Sequence, residues 1–434
     1  MKQQIIPFAL VPLDAGYRNQ IFGAINAIND IVGNRFDINE LLVFPEDVSS
    51  YQDIKTPLFY SSFKSYGEFK NKIFSRLDAY MQKVSFVPRI FITVYNPTES
   101  SNPAKDTDKL CAAVKEYYAK NNLGNILTVV LTSRYYKYKN VDMINIPKHL
   151  LTFSSRIRML KNQNIRKNIL VTIGTINNFN IHTVKNKFNE FTKILTKLKK
   201  DDLLRNVVEK YERYKKTSKK VVFLLGGRVE GPEIVFDLDY ARKLYSDALK
   251  LQQVGFGVVI TNGPRTPNNV TDYFYEKSSQ NNDIIFQNSK KIATSDEDRA
   301  PSKWRIYSGK HEEEFKKLQA FGNIYPAILG FDNTLVVHTM DSYSSCETSS
   351  AGFPTAISTK GIYVDPVARY DCQNLVELLC PKYAIDFDEF VKIACAMKIE
   401  PKDLHPQILS SALRVFAETA INKFVALIKK SDRM

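Results

Sequence analysis

Apolar and polar positions alternate in blocks along the chain. Short, nearly continuous apolar runs at Ile5–Val11, Leu41–Phe44, Arg89–Tyr95, Ile126–Leu131 and Ile169–Ile173 have the length and β-branched content of buried strands. Between them lie stretches with helical spacing, at Gln20–Ile31, Phe69–Gln82 and Lys105–Lys120. A second series follows. Val221–Leu225, Gly257–Thr261 and Thr334–Thr339 read as strands, and Asp239–Gln253 reads as an amphipathic helix with Leu244, Ala248 and Leu251 on one face. Strands that alternate with helices predict parallel sheets covered by helices, an α/β fold.

Between the two series, Asn186–Glu212 is helical and very polar. It ends in the charged segment Tyr214–Lys220, which reads as a linker because no apolar face is apparent there. The expected organisation is therefore an N-terminal domain over 1–214, a C-terminal domain over 221–400, and a tail over 401–434. The tail holds an amphipathic helix from Ile408 to Lys430, expected to pack back on the N-terminal domain.

Composition narrows the class. The 434 residues are 44% hydrophobic and 25% charged, enough apolar material for a core in each half. No run approaches the roughly 20 apolar residues that span a bilayer. The N-terminal apolar stretch is broken by Pro7 and Pro12 and meets Asp14, unlike a secretory signal. The five cysteines form no C-x-x-C pair, and the histidines are scattered, so neither a disulfide framework nor a metal site is expected. These features point to the cytoplasm. The net charge of +15 suits an anionic partner. Without a basic-aromatic recognition motif, nucleic acid is not expected, and an anionic membrane surface fits isolated lysines better.

Candidate chemistry gathers at strand ends. Gly226-Gly227-Arg228 follows a strand; glycines permit close backbone approach to a ligand, and Arg228 supplies a forked cation. A simple turn is the plainer alternative. Thr261-Asn262-Gly263-Pro264-Arg265-Thr266-Pro267 follows another strand, at the edge where open parallel sheets bind ligands; it could also be an ordinary polar loop. Asp341, Ser342, Ser344, Ser345 and Glu347 follow Thr334–Thr339 at a helix start. They offer N–H groups to a diphosphate and a carboxylate to a ribose hydroxyl. The alternative is that Asp341 or Ser342 caps the helix. Asp14 in Asp14-Ala15-Gly16-Tyr17-Arg18-Asn19-Gln20 is a candidate general base or a loop carboxylate. Asp237-Leu238-Asp239 has a D-x-D spacing but lies where Asp caps helices.

Taken in order, Gly16–Gln20, Thr172-Ile173-Gly174-Thr175, Leu225-Gly226-Gly227, Thr261–Pro267, Asn323-Ile324-Tyr325 and Thr339 through Glu347 to Gly352-x-Pro354 resemble the mitochondrial fission Elm family. Met340 departs from that pattern, standing where the family has a small residue, and the Asp-Ser to Glu interval is one residue shorter. The resemblance implies a GT-B-like architecture, two Rossmann-like domains with parallel sheets facing across a cleft. It implies a metal-independent glycosyltransferase using a nucleotide-sugar donor and no further cofactor. Gly226, Gly227, Arg228, Thr261, Arg265, Thr266, Asp341, Ser342, Ser344, Ser345 and Glu347 would hold the donor. Gly16, Asn19 and Gln20 would face the acceptor, with Asp14 as base. A peripheral place on an inner membrane would suit the basic charge. The same resemblance admits a non-enzymatic membrane or fission adaptor, and the fold is shared by epimerases that act on nucleotide sugars.

Overall fold

The computed structural model describes residues 5–10, 15–44, 59–95, 101–151, 167–199, 201, 204–227, 234–292, 306–321, 324–340, 342, 344–359, 362–363, 366–380, 382–397, 400–404 and 411–431. The chain forms two compact units. The first comprises residues 1–178 and 410–434, the second residues 179–409.

The first unit is built on a six-stranded sheet. Its strands are β1 (Pro7–Leu10), β2 (Leu42–Val43), β3 (Ile90–Val94), β4 (Leu127–Leu131), β5 (Met143–Pro147) and β6 (Ile169–Thr172), in the spatial order 2-1-3-4-5-6. Every pairing is parallel. β3, β4 and β5 are buried along their whole length, which is why β3 and β4 read as nearly continuous apolar runs. β5 escaped the sequence reading because Asn145 and Pro147 interrupt its apolar run. Helices start at side-chain caps: Ser65 accepts from the Glu68 N–H, and Asn102, one residue before Pro103, accepts from the Lys105 N–H. The last helix, Ser411–Ser431, belongs to this unit. Its Phe416, Ala417, Ala420 and Phe424 share a core with Ile21, Ala24, Ile25 and Ile28 of the helix Ala15–Val32. The expected start of that helix, 408–410, lies outside the described residues.

The second unit repeats the plan with a different strand order. Its main strands are β7 (Lys219–Leu224), β9 (Phe256–Thr261), β10 (Ile284–Gln287), β13 (Thr334–Thr339), β14 (Thr355–Ser358) and β16 (Ile385–Asp386). In space they run β10-β9-β7-β13-β14-β16, again all parallel. Counted within the unit this is 3-2-1-4-5-6, the order of a dinucleotide-binding doubly wound sheet. Two short pairs complete the described strands. β8 (Ile234–Val235) lies antiparallel to β15 (Ile362–Tyr363), and β11 (Lys291–Ile292) lies parallel to β12 (Ile306–Tyr307).

The linker expected at 214–220 is not there. The boundary falls at 178/179, and the charged segment is interior to the second unit. Its helix Arg205–Lys216 does have an apolar face, made by Val208, Tyr211 and Tyr214, which pack into the core. Lys220 opens β7 while 4% exposed; its ammonium donates to the carbonyls of Thr217 at 2.5 Å and Asp332 at 3.4 Å. A long aliphatic stem lets lysine line a strand and still satisfy its head group. The tail divides too. Pro401 through Leu404 belong to the second unit, where Glu400 accepts from Asn333 at 3.3 Å.

Two imidazoles are sealed inside the folded units. Burial pushes His149, in the first unit, and His338, on β13, down to about 3. Both fold in the neutral form, while the unfolded chain takes up a proton below its ordinary value near 6.5. Between those two values the unfolded state binds more protons, so stability falls as pH falls. Each histidine is expected to cost up to about 2 kcal/mol between pH 7 and pH 5. Urea midpoints at the two pH values measure this, and His338→Gln is expected to lessen the acid loss. An unchanged loss in that variant would remove His338 from the account.

Candidate functional site

β7 and β13 are neighbours at the point where the strand order of the second sheet reverses. In such sheets the crevice outside the strand ends at this point is where ligands sit. Gly226 and Gly227 leave β7 here, both buried. The Gly226 N–H has passed the end of the ladder and donates instead to Thr339 Oγ1, on the last residue of β13, at 2.8 Å. The Gly226 carbonyl accepts from Thr266 Oγ1 at 2.5 Å, and the same hydroxyl accepts from the Gly263 N–H at 3.0 Å. Thr266 therefore pins the loop after β9 onto the turn after β7.

The two backbones are in close contact. A Cβ on Gly227 would stand 2.1 Å from the Arg265 carbonyl oxygen, far inside any real contact. One on Gly263 would stand 2.8 Å from the Leu225 carbonyl oxygen. The glycines are thus required by the approach of one loop to another, which goes beyond the plain turn considered from sequence.

A buried polar network supports the loop from β10. Asn262 donates to Asn288 Oδ1 at 2.7 Å and to Thr271 Oγ1 at 3.1 Å, and accepts from the Ser289 N–H at 2.6 Å. Thr261 Oγ1 lies 2.7 Å from Ser289 Oγ. Lys290, 3% exposed, donates to the Thr266 carbonyl and to Asn268 Oδ1, each at 2.8 Å. Burial lowers its pKa to about 8.

On the other side of β7, the helix Ser344–Ser350 follows β13. Tyr325 Oη donates to Glu347 Oε2 at 3.3 Å. Burial and then the field of Glu347 raise the phenol well above its ordinary value, so it stays a donor. The ring stacks on Phe179 with centroids 5.6 Å apart, which fixes its aim. The Ser344 side chain also hydrogen-bonds the Tyr325 hydroxyl. Two of the N–H groups expected to be open at this helix start are engaged. Ser344 N–H donates to Ser342 Oγ at 3.3 Å, and Ser345 N–H to the Ser342 carbonyl at 3.4 Å. Ser342 thus caps the helix, a local competition typical of serine, and this seven-residue helix is a poorer anion seat than the sequence suggested. His338 Nε2 lies 2.9 Å from Thr348 Oγ1 and ties β13 to the same helix.

Of the residues picked from sequence, Gly226, Gly227, Thr261, Arg265, Thr266, Ser342, Ser344, Ser345 and Glu347 come together at the carboxyl end of the second sheet. Arg265 is half-buried in its loop. Arg228 and Asp341 lie outside the described residues, as does Asp14. Gly16, Asn19 and Gln20 belong to the first unit, in the helix after β1. There Gln20 accepts from Thr132 Oγ1, and Asn145 donates to Thr172 Oγ1 at 2.9 Å, so a second polar network joins the ends of β4, β5 and β6. Asp237 is a helix cap, accepting from the Tyr240 N–H at 2.8 Å. Among the described residues no group of three or more His, Cys, Asp or Glu is placed to hold a metal ion, and no helix is long and apolar enough to cross a membrane. The sequence reading missed Lys290, Asn288 and Thr339 as site residues. The polar Asn288-Ser289-Lys290 step after β10 was the available signal.

Two parallel, doubly wound α/β units, the second with a glycine turn at its switch point, define a Rossmann-like two-domain protein. Residues 110–294 match the model of the family described as mitochondrial fission ELM1. That match spans the end of the first unit and the β7–β10 half of the second sheet, and it bears out the resemblance read from the motifs. No curated protein matches the chain. Among solved structures, S. aureus MnaA in its UDP co-structure is similar at 10% identity and a TM-score of 0.41, over 98% of this chain and 97% of that one. UDP-GlcNAc 2-epimerase from Neisseria meningitidis, bound to UDP-GlcNAc, is similar at 13% identity and a TM-score of 0.41, over 96% and 99%.

The bond from Gly226 to Thr339 yields a test. Thr339→Val keeps the shape but leaves a buried N–H without its acceptor, at an expected cost of about 1–3 kcal/mol. Thr339→Ser restores the acceptor. Denaturation midpoints of the pair are expected to separate, with serine close to the parent chain.

Proposed function

We propose that the second unit binds the diphosphate of a nucleotide sugar, and that the protein is a metal-independent GT-B-type glycosyltransferase. The observation that carries this reading is the collection of Gly226, Gly227, the 261–267 loop and Glu347 at the switch point of a sheet ordered 3-2-1-4-5-6. That order brings a backbone turn, a cationic side chain and an oriented carboxylate to one edge. In this scheme the Gly226–Gly227 turn admits the diphosphate closely. Arg265, with Arg228 as a second cation, offsets and orders the charge that builds up as the diphosphate leaves. Glu347, aimed by Tyr325, accepts from a ribose hydroxyl. An acceptor hydroxyl attacks the anomeric carbon, the nucleoside diphosphate departs, and the hydroxyl proton passes to Asp14. Gly16, Asn19 and Gln20 are read as the acceptor side. The basic charge supports an acceptor presented at an anionic membrane surface.

Thermal unfolding against UDP, GDP, CDP and dTDP tests the donor site. A ligand that binds only the folded chain adds about 2.7 kcal/mol at 100 times its dissociation constant. One nucleotide class is expected to raise the midpoint, and Glu347→Ala and Arg265→Ala are each expected to weaken the rise at least tenfold in half-saturating concentration. A flat response to every nucleotide would sink the donor site and leave the non-enzymatic adaptor as the better reading.

A further inference from the structure

Lys290 stands at the end of β10 with its ammonium buried and both hydrogen-bonded partners neutral: the Thr266 carbonyl and the Asn268 amide oxygen, each at 2.8 Å. A buried cation is ordinarily paired with an anion, because desolvation penalises the charge. The other buried lysines among the described residues, Lys210 and Lys220, cap carbonyls at a helix end and a strand start and lie away from the switch point. Lys290 instead grips the loop that lies on Gly227. Its chain of contacts is direct: Lys290 to the Thr266 carbonyl, Thr266 Oγ1 to the Gly226 carbonyl, and the Arg265 backbone against Gly227. The carboxylate whose field reaches Lys290 is Asp272, on the helix Asn268–Ser279, and it already accepts from Tyr307 Oη of β12. Among the described residues the charge is therefore only partly compensated.

We propose that Lys290 is a positioning residue for an anionic diphosphate: it holds the 263–267 loop in register with the glycine turn, and its buried positive charge is completed by the ligand's negative charge. This rests on the nucleotide reading above and adds a residue that does not touch the ligand. The physical consequence is linkage. An anion at the loop favours the protonated lysine, so binding raises its pKa from about 8 and takes up a proton. Affinity is then full where Lys290 is already charged and falls as pH rises above about 8. The terminal phosphoryl group of a nucleoside diphosphate, with a second pKa near 6, is about nine-tenths ionised at pH 7 and almost fully so above it, so its own slope is slight and runs toward tighter binding as pH rises.

The experiment is calorimetric titration of the full chain with UDP, and in parallel with GDP, at pH 7.0, 8.0 and 9.0. Three forms are compared: the parent chain, Lys290→Arg and Lys290→Met. The parent chain is expected to bind at least threefold more weakly at pH 9.0 than at pH 7.0. Lys290→Arg, which stays charged, is expected to bind with no such fall, and Lys290→Met is expected to bind weakly at every pH. A purely structural lysine would give a methionine variant that loses affinity while the parent and arginine forms share one flat pH profile; that profile overturns the proposal. Binding by the methionine variant as tight as the parent also overturns it. Should the parent chain bind neither nucleotide, the nucleotide reading fails first and this inference fails with it. Intact binding that ignores position 290 sinks this inference alone.

Discussion

Two backbones meet at Gly227 with no room for a single carbon between them. The Arg265 carbonyl oxygen occupies the place a Cβ would need. This approach is forced by topology. β7 is central in its sheet and is flanked by β9 and β13, so the segments leaving all three must pass one another at the same edge. Backbone groups leaving a ladder lose their partners, and buried ones must find others. Here Thr339 supplies the acceptor for Gly226, and Thr266 supplies both a donor and an acceptor. The loop after β9 is thereby set by hydrogen bonds at both faces, one from β7 and one from β10. An edge held in this manner is preorganised, so little energy would go into ordering it on binding.

The first unit solves the same problem with different residues. Thr132 takes a positive φ of 52°, a costly conformation for a β-branched residue, directly after β4. It is held there by Gln20 and by Asn145, whose side chain also donates to Thr172. Strain of this kind persists only where surroundings over-determine it. In both units the strand ends are locked by buried Asn, Thr and Gln side chains. These have few rotatable bonds and carry both donors and acceptors. The cores beneath them, by contrast, are Val, Ile and Phe.

Those contrasts explain what the sequence made legible. Buried parallel strands such as Ile90–Val94 and Thr334–Thr339 read directly, because both faces are covered and each carries a run of three apolar residues, Ile90–Ile92 and Leu335–Val337. The glycines at 226 and 227 and the cap at Asp237 were legible because each residue type has a narrow conformational or capping use. The domain boundary was not. Tyr211 and Tyr214 carry the apolar face of Arg205–Lys216, and tyrosine among lysines looks polar until its ring is placed in a core. Lys290 and Asn288 were missed for a related reason. A buried polar network has no period, since its members come from β9, β10 and a loop that are adjacent only in space. The helix start at Ser344 was over-read: serine there can serve a ligand or itself, and sequence alone does not distinguish the two.

The lysine excess has to be reread in the same light. A net charge of +15 invites the picture of a basic surface waiting for an anion. Several of the lysines are committed internally. Lys210 donates to the carbonyls of Ser278 and Asn281, Lys220 to that of Thr217, Lys290 to that of Thr266, and Lys423 to that of Lys167. Their ammonium groups do the work that water or a capping residue does elsewhere, satisfying carbonyls at helix and strand ends. The buried ones, Lys210, Lys220 and Lys290, are fixed in place and set in lower dielectric, so they act over short distances on specific neighbours. Exposed lysines act through a field that salt screens within about 8–10 Å. The two populations therefore have different consequences. The exposed lysines govern any attraction to an anionic surface and weaken with ionic strength. Lys290 acts at short range, on the 263–267 loop and Asn268, and salt leaves its influence largely intact.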